Sequence, residues 1–194
     1  MNENIFRIIN DLGKEYKAIN PAAIFIAEYM VIILATAVLI FWFTRVNQNR
    51  IMVICGSITF VMAEIIGKIA GKVHSNHQPF AELSNVNQLV EKAVDNSFPS
   101  DHTILFFSFC VTFWVFRGPR GFIWILLALL VGISRIWVGV HYPADIMVGI
   151  IISICTAFII IRVVPKLSII QKLLGIYEKA ESYILPIKKD NYPG

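Results

Sequence analysis

The chain has 194 residues, of which 57% are hydrophobic and only 15% charged. A soluble domain carries nearer a quarter charged residues, so this composition excludes an ordinary soluble fold and places the chain in a bilayer. The formal net charge of +4 comes from scattered Lys and Arg rather than a basic stripe, which excludes nucleic acid as a partner.

In chain order, Ile5, Ile8, Ile9 and Leu12 recur at helical spacing, with Glu3, Arg7, Asp11 and Lys14 on other faces. The pattern predicts an amphipathic helix over residues 1–20, either lying in the membrane interface or packed on the rest of the protein. Residues 22–164 read as a transmembrane core. A spanning helix needs about 20 mostly apolar residues, and five runs approach that length: residues 22–43, 51–70, 103–116, 122–140 and 144–164. The first run is long enough to span and has no small-residue cleavage pattern after it, so it reads as a retained helix. Glu28, near its outer end, reads as interfacial. Glu64 and Lys68, four apart in the second run, read as a buried structural pair. Cys55, Cys110 and Cys155 each sit inside an apolar run without C-x-x-C or Cys/His spacing, so they are expected to be small buried packing residues. After the last span, Leu167, Ile170, Leu173, Leu174 and Tyr177 alternate with Lys166, Lys172 and Lys179 in a tail over residues 165–194. The expected fold is therefore all-α: one domain, an integral membrane bundle of five transmembrane helices with amphipathic terminal helices.

Charge predicts the topology. Arg45 and Arg50 flank the first short loop, Arg117 and Arg120 the second, whose Gly118-Pro119 forces a turn, and Arg162, Lys166, Lys172, Lys179, Lys188 and Lys189 follow the last span. The positive-inside rule makes that side cytoplasmic. The N-terminus, the loop over residues 71–99 and the His141-Tyr142 turn then fall on the extracellular side, as part of a multi-pass protein of the cell membrane.

Two clusters carry chemistry, both near that outer side. Ser134-Arg135 is followed by His141 and Asp145. Pro143 suits the first turn of the fifth span, where its missing N–H is no loss. Asp145, in the same turn, can hold one ring nitrogen of His141 and leave the other free to attack. The second cluster is Pro99-Ser100-Asp101-His102, just before the third span. Ser100 is a natural N-cap, a helix N-terminus attracts anions, and a histidine there can protonate a departing oxygen.

These clusters resemble the type 2 phosphatidic acid phosphatase superfamily, whose motifs read K-x6-R-P, P-S-G-H and S-R-x5-H-x3-D. Ser134, Arg135, His141 and Asp145 match the third at every defined position; Pro99, Ser100 and His102 match the second, with Asp101 in place of Gly. The resemblance implies that His141 is the nucleophile and forms a phosphohistidine, that Asp145 holds it, and that His102 protonates the leaving group. It implies phosphate binding by Ser100 and Arg135, with Asp101 at the same motif as a further candidate. The first motif falls in residues 71–80, where Pro79 fits, Gln78 stands in the usual Arg position and Lys72 lies one residue out of register. Lys72 and Gln78 are carried as phosphate-binding candidates, with His77 a further source of charge. The mechanism so implied uses protein cations, no metal and no cofactor, and no acidic cluster with Mg²⁺-type spacing is visible in the sequence. The resemblance extends to the bacitracin-resistance type of undecaprenyl-diphosphatase, which implies a lipid diphosphate substrate. A phosphatidylglycerophosphate or phosphatidate phosphatase, and a non-catalytic lipid-binding or transport protein, remain the alternatives.

Overall fold

In the computed structural model, which describes residues 1–184, every regular element is helical among the described residues. Residues 185–194 of the expected tail, including Lys188 and Lys189, lie outside the described residues.

Helix α1 (Asn2–Glu15) packs across α6 and α7, introduced below, with Phe6, Asn10 and Gly13 buried. The isoleucine face read from the sequence is divided: Ile9 packs inward beside Phe6, while Ile5 and Ile8 stay exposed. The buried polar residue decides the orientation. The Asn10 amide donates to the carbonyls of Trp137 (2.8 Å) and Asn87 (3.0 Å) and accepts from the Asn87 N–H (2.9 Å). An apolar side chain at that position would leave those groups unpaired.

Helix α2 (Asn20–Phe43) begins with Pro21 in its first turn and buries only Ala23, Ala27, Met30 and Leu34. That stripe is narrow and starts with small residues that allow close helix approach. The rest of its surface, including Ile32, Ile33, Leu39 and Ile40, is exposed hydrocarbon suited to lipid. Helix α3 (Asn47–Val73) is longer than the apolar run at both ends and carries Arg50 near one end and Lys72 at the other. After the short helix α4 (Pro79–Glu82) comes α5 (Asp101–Arg117), buried on ten of its 17 residues and packed by α3, α6 and α7 together. Because α5 lies at the centre, its N-terminus opens in the middle of one end of the bundle. Phe106, Phe109 and Phe113 fill the core there with Leu34, Met52 and Val131.

A turn over Gly118–Gly121 reverses the chain into α6 (Phe122–Trp137); Gly118 has φ +62°, a backbone suited to glycine. Then follow α7 (Pro143–Val163) and α8 (Ser168–Ile184). Four uninterrupted helical runs among the described residues are long and apolar enough to cross a membrane. The expected count of five differs because the third run, Asp101–Trp137, contains both α5 and α6. At 1.5 Å per residue each of these two helices is only about 25 Å long.

Two smaller expectations are corrected. Cys55 and Cys110 are buried, but Cys155 is exposed on α7. Glu64 and Lys68 approach to 3.9 Å, yet the Lys68 side chain is 73% exposed, so the contact is peripheral rather than a buried pair.

At the end of the bundle opposite the α5 N-terminus, α8 is clamped by buried charge. Arg50, 1% exposed, reaches Glu178 (3.2 Å) and Glu181 (2.6 Å), and Arg45 also meets Glu181 (3.3 Å). Arg117 joins the same end through Asn49 (2.8 Å). Hydrogen bonding from Arg50 holds the Glu181 carboxyl below the usual carboxylate range. A depressed acid stabilises the fold above its unfolded value, and that contribution is lost as pH falls through the folded value. Glu181→Gln is therefore expected to lower the melting temperature at pH 7, by an amount that shrinks on acidification below the carboxylate range. Thermal melts of both proteins across pH check this; an equal difference at every pH would refute the ionic clamp.

Candidate active site

The turn between α6 and α7 is shaped by one glycine. Gly139 has φ +87°, and a Cβ there would stand 2.9 Å from both the Asn87 carbonyl and Val86. The chain thus turns tightly under the outer loop and presents His141, 3% exposed, immediately before α7. Asp145 caps that helix: its Oδ2 accepts from the Tyr142 N–H (2.9 Å) and from Ser97 Oγ (2.8 Å), and its Oδ1 from Asn76 (3.4 Å). The same Oδ2 stands 3.5 Å from His141 Nδ1. With three other donors fixing the carboxylate, His141 turns its Nδ1 face to Asp145, leaving Nε2 as the ring nitrogen for chemistry. Burial, the dominant cause, pushes the His141 imidazole below its ordinary pKa, against the opposing contact with Asp145, so the neutral form prevails.

The start of α5 docks against this turn. The Ser100 N–H donates to the Asp145 carbonyl (3.2 Å), and Ser100 Oγ caps α5 by accepting from the Thr103 N–H (3.4 Å). Gly149 of α7 permits the approach, because a Cβ there would already touch Thr103 and the Ser100 carbonyl. His102, one residue into the helix, lies within electrostatic reach of both His141 and Arg135. The docking of Ser100 on Asp145 thus brings the helix start that carries His102 to the same end of the bundle as His141.

Arg135, near the end of α6, is 3% exposed. Leaving such a charge unpaired costs roughly 3–5 kcal/mol. Its Nη1 donates to the Ala27 carbonyl (3.0 Å) and to Glu28 (3.2 Å), both on α2, while its Nε is buried with no hydrogen-bond partner. An anion accepting from that free donor would complete the site. Glu28, expected to be interfacial, keeps a side chain 45% exposed and is also the carboxylate that holds this arginine. Its signal in the sequence was an ionisable residue inside an apolar run. Ser97 and Asn76, the other side chains missed, carry no sequence signal at all.

The remaining candidates separate from this centre. Gln78 is fully buried, and both ends of its amide engage Asp95: Nε2 donates to Oδ1, and Oε1 accepts from the Asp95 N–H (3.1 Å). It is spent on the outer loop rather than offered to a ligand. His77 is held by the same loop, its N–H donating to Glu82 (3.1 Å) and its Nδ1 lying 3.3 Å from the Asp95 carbonyl. The Asp101 side chain is exposed and lies beside Glu64 of α3, so α5 offers an anion its backbone N–H groups there rather than this carboxylate. Lys72 is exposed at the end of α3. Among the described residues, no group of three or more His, Cys, Asp or Glu side chains is arranged to hold a metal ion.

The arrangement comprises a buried neutral imidazole oriented by a fixed carboxylate, a second imidazole at a helix N-terminus, and a buried guanidinium with a free donor. It can bind a phosphoryl group and transfer it in two steps. Comparison with known proteins agrees. Residues 59–169 match the PAP2 superfamily. The chain is 52% identical over 188 residues to the bacitracin transport permease protein BcrC of Bacillus licheniformis, covering 97% of this chain and 93% of that one. It is 32% identical over 163 residues to the undecaprenyl-diphosphatase BcrC of Bacillus subtilis, covering 84% and 83%. Among solved structures, the crystal structure of Aquifex aeolicus LpxE aligns with a TM-score of 0.62 at 25% identity, over 83% of this chain and 94% of that one.

Proposed function

The chain belongs to the PAP2 superfamily, and from that premise we propose that it hydrolyses undecaprenyl diphosphate to undecaprenyl phosphate and inorganic phosphate. What supports this reading is the placement, toward one end of an apolar helix bundle, of the His141–Asp145 pair, the buried Arg135 and the docked α5 start that carries His102. A phosphate held there keeps its lipid tail beside the exposed hydrocarbon of α2. Nε2 of His141 attacks the terminal phosphorus as the bridging oxygen leaves, making an N–P bond and breaking a P–O bond. His102, carrying a proton once the phosphate anion is beside it, gives that proton to the departing lipid phosphate. It then takes a proton from the water that attacks the phosphohistidine, releasing phosphate and restoring both imidazoles. Arg135, Ser100 and the free N–H groups of α5 stabilise the charge spread over the equatorial oxygens.

We further propose that this end faces the outside of the cell, since Arg45, Arg50 and Arg117 gather at the opposite end. Acting there, the enzyme would return the carrier lipid of cell-wall synthesis to use. It would also remove the diphosphate that bacitracin sequesters and so confer resistance.

The test is phosphate release by purified protein from undecaprenyl diphosphate, phosphatidylglycerophosphate and phosphatidate. A preference for the polyprenyl diphosphate is expected, with turnover retained in excess chelator; a preference for glycerolipids would overturn the substrate assignment. One relative carries a transporter's name, and this assay separates the two readings, because a permease releases no phosphate.

A further inference from the structure

We infer that Lys92, on the outer loop, is a second phosphate-binding cation of this site, acting beside Arg135 on the transferred phosphoryl group. The inference rests on the phosphatase reading above and adds a residue to it. Lys92 lies in a stretch whose two ends are both tied to the turn that presents His141. Before it, the Leu89 N–H donates to the Val138 carbonyl (3.1 Å), and Leu89 and Val90 pack on Ala23, Ala27, Val138 and Val140. After it, Ser97 bonds the Asp145 carboxylate (2.8 Å). Lys92 is three residues from the first anchor and five from the second, so the segment holds it in the neighbourhood of the turn that carries His141.

The side chain is held but not consumed. Lys92 Nζ stands 3.9 Å from Asp95 Oδ1, at the outer limit of an ion pair, and that oxygen already accepts from Gln78. Gln78 thus fixes Asp95, and Asp95 parks the ammonium at the rim, with the Lys92 side chain 29% exposed. A phosphate carries more charge than one carboxylate already in use, and the flexible lysine stem lets the ammonium follow it. The charge of Lys92 also bears on both His102 and His141, as does that of Arg135. A cation within electrostatic reach of both imidazoles and anchored beside their turn is positioned for an anion held between them.

The experiment compares wild type, Lys92→Gln, Lys92→Arg and Lys72→Gln, purified in detergent, for kcat/KM on undecaprenyl diphosphate and for competitive inhibition by orthovanadate. Losing one charged donor is expected to lower kcat/KM by about 10²-fold in Lys92→Gln and to raise the orthovanadate inhibition constant in parallel. Lys92→Arg should recover most of both. A purely structural role for Lys92 would lower the melting temperature without moving the inhibition constant, and that result overturns the inference. So does a Lys92→Gln enzyme at wild-type values, or a loss of orthovanadate binding confined to Lys72→Gln, which would assign the cation to α3. A wild type that releases no phosphate removes the phosphatase reading itself, an outcome distinct from these.

Discussion

Replacing His141 with alanine is expected to cut phosphate release at least about 10⁴-fold, because the residual rate of a covalent catalyst without its nucleophile comes from binding alone. No neighbour can take over. The imidazole is 3% exposed and its Nδ1 stands 3.5 Å from the Asp145 carboxylate, so Nε2 is the nitrogen left for attack. The same change must abolish any phosphoenzyme: with substrate labelled in its terminal phosphate, an alkali-stable, acid-labile adduct should appear on the wild type and vanish in the variant. Its persistence would place the nucleophile elsewhere. The pH dependence follows from burial. A nucleophilic imidazole works when neutral, and burial keeps the His141 pKa below the ordinary histidine value. Activity should therefore survive acidification through that ordinary value and fail only as pH drops through the lowered one, with the limb read from kcat/KM. An acid limb above the ordinary histidine value would contradict a buried neutral nucleophile.

The parts of this machine legible in the sequence are those written locally. Pro143 and Asp145 mark the start of α7, Ser100 marks the start of α5, and the apolar runs mark the spans, since each depends on neighbours within a few residues. What escaped depends on contacts between distant segments. Nothing in the spacing ties Glu28 to Arg135, 107 positions away, or Ser97 to Asp145. Gln78 illustrates the same limit. Its position in a motif suggested phosphate, while its burial and its two bonds to Asp95 assign it to the loop. The isoleucines of α1 left two placements open for a related reason: in a membrane protein apolar residues face outward as readily as inward, and here Ile9 packs on the core while Ile5 and Ile8 stay exposed.

His102→Gln is expected to separate proton donation from phosphate binding through the leaving group. A diphosphate expels a phosphate monoester, which departs fairly well unaided, whereas a monophosphate must expel an alkoxide and needs the proton far more. Removing a general acid costs about 10²–10⁴ in rate. We expect His102→Gln near the low end of that range on a polyprenyl diphosphate and near the high end on the monophosphate with the same tail. The position of His102 supports this role. It sits in the first turn of α5, at the helix start capped by Ser100, and in electrostatic reach of His141. The two penalties are measured as ratios of kcat/KM to wild type, so differences in lipid partitioning cancel. Equal penalties on both substrates would mean that this imidazole holds the phosphate and moves no proton. The bundle would then have to draw the leaving group's proton from water, and the case for two imidazoles dividing the work at one phosphorus would fail.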